Sequence, residues 1–99
     1  MYLLNLTYVT PLAVVDSHLA AHKAYLDSLY LAGKVLMSGR KEPRTGGLMV
    51  LLTDSPDEAQ ALMEADPFHA HGVASYELTR FTVGKAVPQL SAYLSGPAR

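Results

Sequence analysis

Apolar positions along the chain switch between a spacing of two and a spacing of three to four, and the switches divide it into β, α, β, β, α, β. Residues 3–9 (LLNLTYV), rich in branched and aromatic side chains, predict a first strand. Val15, Leu19, Leu26 and Leu29 then fall on one stripe at ~100° per residue, predicting a first helix over about 14–32. Asp16 or Ser17 are its candidate caps, and Gly33 is placed for the left-handed turn that ends helices. Residues 34–39 (KVLMSG) predict a second strand. The loop KEPRTGG comes next, where Pro43, Gly46 and Gly47 resist regular structure, and 48–53 (LMVLLT) predict the third strand.

The second helix carries the clearest start signal, with Ser55 as N-cap, Pro56 at the first helical position and Glu58 as the capping-box acid. It is expected to run to about Ala65. Pro67 disfavours helical geometry at the residue before it, which makes Asp66 the exit residue. Residues 73–83 (VASYELTRFTV) predict the fourth strand, and 85–99, with Pro88 and Gly96-Pro97, a peripheral tail or short arm. The expected organisation is one domain over 1–84 plus the tail 85–99, with no repeat and no linker. This order is that of an α+β, ferredoxin-like βαββαβ fold, a four-stranded antiparallel sheet with two helices on one face. LMVLL shows no polar alternation, so the face away from the helices is also apolar and needs a cover. A second copy packed sheet to sheet is the expected cover, making the protein a homodimer; the alternative is the C-terminal tail folded over the sheet.

His22 lies within about 20° of the centre of the apolar stripe on the first helix. An ionisable ring is thereby aimed at the interior, where an unpaired polar group costs roughly 1 to 3 kcal/mol. Asp66 is its candidate partner. As the exit residue of the second helix, its carboxylate faces the negative end of the macrodipole, a placement that costs roughly 0.3 to 1 kcal/mol. Pairing relieves both costs, and a carboxylate-held imidazole has a fixed tautomer and raised basicity, as a general base requires. The structural alternative is an Asx-type turn at Asp66 before proline and a satisfied core histidine at position 22. Rival chemistry comes from His18, one turn before His22, and from His69 and His71, two apart in an expected extended segment; four imidazoles would suit zinc, copper, nickel or iron. Because His18 sits about 60° off the apolar centre and H-x-H is common without any metal, no metal site and no cofactor are expected. Tyr25, Tyr30 and Phe68 are expected to be packing residues.

Composition narrows the function classes. Eight Lys plus Arg against nine Asp plus Glu give a formal net charge of -1, and the basic residues cluster only at Arg40, Lys41 and Arg44, which argues against nucleic acid as a partner. The 99 residues contain no cysteine, so disulfides and thiolate catalysis are ruled out. MYLLNLTYVT carries no basic n-region, and no apolar run approaches the ~20 residues of a membrane span, so a cytoplasmic protein with no membrane partner is the expectation.

The stretches AHKAYLDSLYLAGKVLMSG, PRTGGLMVLL and EAQALMEADPFHAHG, followed by a strand ending in RF, resemble the YCII-related family of the dimeric α+β barrel superfamily. The resemblance covers roughly residues 2–83, carried most specifically by the DPF tripeptide with an upstream helical histidine. It implies a ferredoxin-like homodimer whose sheets pack face to face, and a cleft with a His and Asp pair matching His22 and Asp66. It also draws attention to Ser38 and Gly39 at the end of the second strand and to Arg44, Gly46 and Gly47 in the loop. Many relatives have proline after that glycine, whereas this chain has Arg40, which alters the shape and charge of the cleft mouth. The chemistry suggested for the family is acid-base work on small organic molecules, such as elimination or isomerisation of hydroxylated rings.

The expected function is therefore that of a small enzyme-like protein with His22 as general base or acid and Asp66 orienting it. Ser38 would donate a hydrogen bond to the small-molecule substrate and Arg44 would neutralise a substrate anion. Phe68 would wall the pocket, and His69 completes the expected substrate-binding set. The alternative is a non-catalytic module that binds a small ligand in the same cleft.

Overall fold

Strand β1 (Tyr2–Tyr8) is the hub of the sheet, pairing antiparallel with β3 (Gly46–Leu51) on one side and β4 (Ala74–Arg80) on the other. With β2 (Val35–Arg40) outside β3, the computed structural model, which describes residues 1–94, has the order β2-β3-β1-β4. Helices α1 (Leu12–Ser17) and α2 (Leu19–Leu31) connect β1 to β2, and α3 (Pro56–Glu64) and α4 (Pro67–Ala70) connect β3 to β4. The fold is thus α+β and ferredoxin-like, βαββαβ with each crossover helix in two pieces.

Residues paired directly across an antiparallel sheet share a face. Tyr2, Leu4 and Leu6 therefore share theirs with Leu51, Met49 and Gly47. These apolar side chains are buried against Val15, Leu29, Phe68 and Val73, which forms the core and places the helices on this face. The predicted stripe on the first helix divides accordingly: Val15 and Leu29 are buried, and Leu19 and Leu26 are partly buried against the core.

Two local departures from the expected elements shape the site. The single helix expected over 14–32 begins earlier, at Leu12, and breaks at His18. Ser17 donates its hydroxyl to the Val14 carbonyl at 2.6 Å, a local bond that competes with the helical ladder. Asp16 and Ser17 thus close α1 instead of capping a helix start. The second departure is α4. Pro67 does end α3, but a proline is equally suited to the first helical position, and a new turn starts there with Asp66 as its N-cap. His69 belongs to this turn and His71 caps its end, so they do not lie in an extended segment.

A bulge in β2 decides which of its side chains face the helices. Val35 pairs with Leu51 but Met37 pairs with Val50, so the register slips at Leu36. Strict alternation from the buried Val35 would turn Met37 inward and Ser38 outward. The extra residue reverses this, placing Ser38 opposite the inward Met49 and leaving Met37 exposed. Gly46 permits the tight approach of β3 to β1, because a Cβ there would lie 1.9 Å from the Leu6 carbonyl oxygen.

The opposite sheet face is apolar over part of its width. Met37 and Leu48 are 53% and 43% exposed, and Leu3 and Val50 lie beside them, whereas β4 presents the exposed polar residues Ser75, Glu77 and Thr79. The described part of the tail, a 3-10 turn at Pro88–Tyr93, sits beside Met1 and Leu52 at one end of the sheet and leaves this surface open. Residues 95–99 of the expected tail lie outside the described residues. Among the described residues no helix is long and apolar enough to cross a membrane.

Candidate active site

Asp66 is buried, and one of its carboxylate oxygens organises the site. Oδ1 accepts the backbone N–H of Phe68 at 3.0 Å, capping α4, and lies 2.8 Å from His22 Nδ1 on α2. The macrodipole cost expected for Asp66 is therefore offset locally, since its carboxylate faces the positive start of α4. A carboxylate only accepts, so Nδ1 carries the proton and donates it to Asp66. Nε2 is left with its lone pair, and it makes no hydrogen bond among the described residues.

The imidazole is held on its flat side as well. Its ring stacks on Phe68 with centroids 4.0 Å apart and planes 5° from parallel, and Phe68 in turn meets the edge-on Tyr8 ring at 6.0 Å. Phe68 thus fixes the site twice, through its backbone to Asp66 and through its ring to His22. The His22 side chain is 12% exposed, enough for one edge to reach a cleft of about 350 Å³ between α1, α2 and the β2–β3 end of the sheet.

Four of the six expected site residues, His22, Ser38, Arg44 and Phe68, line this cleft. Asp66 stands behind His22 and reaches the cleft through it. His69 lies outside, its ring at 63° to that of Tyr76. Ser38 Oγ is 2.6 Å from Tyr30 Oη, a hydrogen bond joining β2 to α2 in which either oxygen can donate. Tyr30 is therefore more than the packing residue expected. Arg44 pairs with Asp16 and lies over the Tyr8 ring, its Cζ 5.9 Å from the centroid. The Asp16 hydrogen bond is the main cause holding the guanidinium's pKa above its ordinary value.

Lys23 and Tyr8 also line the cleft, and sequence reasoning did not single them out. Lys23 makes no ion pair among the described residues, whereas Arg44 shares its charge with Asp16. The proximity of Lys23 to His22 was the only signal, and it is no different from that of any exposed helical lysine. Tyr25, expected to pack, donates its hydroxyl to the Leu62 carbonyl at 2.6 Å and ties α2 to α3. Burial, and secondarily the Asp66 carboxylate, push its pKa up.

The remaining histidines do not join the site. His18 at the helix break stacks on His71 with centroids 4.0 Å apart and planes at 17°. Among the described residues no group of three or more His, Cys, Asp or Glu side chains is placed to hold a metal ion.

The family model for the YCII-related domain matches residues 1–82. The uncharacterized protein YjpA of Bacillus subtilis (strain 168) is 40% identical over 64 residues, covering 65% of this chain and 73% of that protein. Among solved structures, 5-chloro-2-hydroxyhydroquinone dehydrochlorinase (TftG) from Burkholderia phenoliruptrix AC1100, in complex with 2,5-dihydroxybenzoquinone, superposes with a TM-score of 0.70 at 27% identity. That match covers 85% of this chain and 96% of the dehydrochlorinase.

Proposed function

This chain belongs to the YCII-related domain family, and from that premise we propose that it is a small dimeric enzyme performing acid-base chemistry, an elimination or isomerisation, on a small oxygenated ring. The observation that carries the proposal is the 2.8 Å contact of His22 Nδ1 with Asp66 Oδ1, which leaves Nε2 unpaired at a cleft. A cavity of about 150 Å³ suffices for benzene. The cleft, at about 350 Å³, has room for a substituted ring.

In the proposed reaction Nε2 accepts a proton from carbon or hydroxyl of the substrate, Asp66 stabilises the imidazolium, and the same proton returns to the product or departs with the leaving group. No electrons change hands, so the step requires no redox cofactor. Dehydrochlorination by the similar enzyme of Burkholderia removes hydrogen and chloride from its substrate, a reaction that needs a proton acceptor. In this reading Ser38, whose Oγ is hydrogen-bonded to Tyr30, serves as the hydrogen-bond donor to a ring oxygen. Lys23 offers a charge for an anionic substituent, and Arg44, shared with Asp16, shapes the rim. Phe68 backs the base and His69 has no part.

The dimer in this proposal forms through the open sheet face, where Met37, Leu48, Leu3 and Val50 make an apolar surface with no cover among the described residues. A cytoplasmic setting is also part of the proposal.

The test is turnover and binding with wild type and His22→Ala, using 2,5-dihydroxybenzoquinone as the binding probe and a panel of halogenated hydroxyhydroquinones as substrates. General acid-base catalysis contributes about 10² to 10⁴ in rate. His22→Ala is expected to lose a factor of that size while keeping affinity for the probe within a few-fold. Wild-type turnover in His22→Ala would refute the base. A wild type that binds but turns nothing over, with affinity lost in His22→Ala, would mark a ligand-binding module instead.

A further inference from the structure

Among the described residues, four titratable side chains stand around the Asp66 carboxylate or the turn it caps, and three are accounted for. From α2, His22 donates to it and Tyr25 spends its hydroxyl on Leu62; from α4, His69 is exposed and turned to the edge of a neighbouring ring. The fourth is Tyr76 on β4. It pairs across the sheet with Leu6, so its side chain rises from the helix-facing side beneath α4. There its hydroxyl is buried with no hydrogen-bond partner among the described residues.

A buried phenol is rarely left idle, since stranding its O–H costs about as much as losing a hydrogen bond outright. The ring contact with His69 sets Tyr76 against the same short turn that Asp66 caps three residues earlier, and Asp66 is a buried acceptor whose Oδ1 takes both His22 and the Phe68 backbone while its Oδ2 is engaged by neither. We infer that Tyr76 is a positioning residue for the His22–Asp66 pair, donating its hydroxyl to the Asp66 carboxylate and thereby setting how strongly that carboxylate holds the imidazole. Consistent with this placement, burial first and the Asp66 charge second push the Tyr76 pKa far above the phenol range, which keeps the proton on oxygen and available to donate.

The consequence has a definite sign. A donor on the carboxylate disperses its negative charge, so removing that donor strengthens the attraction of Asp66 for an imidazolium and raises the proton affinity of His22. Only the catalytic meaning of this effect rests on the acid-base reading of the site. The hydrogen bond itself can be tested without any substrate.

The experiment is a ¹⁵N NMR titration of the His22 ring in wild type, Tyr76→Phe, Asp66→Asn and the double variant, with thermal melts of each. Tyr76→Phe keeps the ring and its contact with His69 but removes the hydroxyl. It is expected to raise the proton affinity of His22 by about threefold or more, roughly half a pH unit, and to lower the melting temperature. In the Asp66→Asn background the same substitution is expected to leave the His22 titration unmoved, because the influence runs through the carboxylate. Identical titrations of wild type and Tyr76→Phe, or a melting temperature raised by loss of an idle hydroxyl, overturn the inference. Should Tyr76→Phe fail to fold, the wild-type hydroxyl decides: a downfield Oη–H resonance that moves upfield in Asp66→Ala is expected, and one indifferent to that substitution overturns it. If His22 shifts as expected while no substrate is ever turned over, the acid-base function falls and the positioning role of Tyr76 stands; if turnover depends on His22 while Tyr76→Phe leaves its titration unchanged, the reverse holds.

Discussion

One oxygen of Asp66 receives both His22 Nδ1, at 2.8 Å, and the backbone N–H of Phe68, at 3.0 Å. The carboxylate that fixes the imidazole tautomer is thus the same group that starts the turn carrying Phe68, the ring on which that imidazole lies. Site and fold are coupled at a single atom.

Removing the carboxylate should therefore be costly to stability as well as to chemistry. Asp66→Ala loses an N-cap and leaves the Phe68 N–H and the His22 ring unpaired, for an expected loss of about 2 to 4 kcal/mol in urea unfolding. The double variant with His22→Ala is expected to show a coupling of about 0.5 to 3 kcal/mol. Additive losses would mean that the two side chains do not interact in solution.

Much of this pair was legible in the sequence, and the reasons are specific. His22 interrupts an apolar stripe, and Val15 and Leu29 on either side of it are buried as that stripe requires. Asp66 was marked by Pro67, whose ring forces the residue before it out of the helix. The same proline concealed α4, because it both ends one helix and is suited to begin another, and the sequence offered no way to tell whether a four-residue turn would form after it. The break at His18 depends on a hydroxyl-to-carbonyl bond from Ser17, a choice between two local bonding patterns that spacing does not record. Ser38 faces the cleft only because Leu36 is bulged, and a bulge cannot be read from VLMSGR. Tyr76 lies within 73–83, which the sequence marks only as a fourth strand, and its hydroxyl, unpartnered among the described residues, emerges only in three dimensions.

Self-association through the open sheet face is expected to give a particle of twice 10.7 kDa by light scattering at micromolar concentration. Leu48→Lys or Met37→Lys, each placing a charge in the apolar patch beside Val50, is expected to shift the particle to monomer. A wild type that remains monomeric under these conditions would remove the dimer from the proposal.

Acid sensitivity has a separate, peripheral source. Hydrogen bonding from Thr53 first and from Lys34 second, the latter 3.0 Å away, holds the Glu58 carboxyl below its ordinary value of 4.5. A depressed carboxyl pKa stabilises the fold above the unfolded value, and that contribution is lost as pH falls through the folded one. Both side chains are 38% exposed, so solvent screening limits the effect to within about 1 kcal/mol. Glu58→Gln is expected to flatten stability below pH 4.5 by that small amount, measured as urea midpoints across the acid range, and to leave turnover unchanged.

The central claim is that Asp66 holds Nδ1 so that Nε2 meets the ligand, and the position of a bound ring tests it most directly. In a crystal structure of the protein with 2,5-dihydroxybenzoquinone, a ring oxygen or carbon-bound proton site is expected within about 2.6 to 3.2 Å of His22 Nε2, or one water away, with the His22–Asp66 contact intact. A ring bound elsewhere, or in the cleft but more than about 5 Å from Nε2 with no bridging water, would contradict that claim.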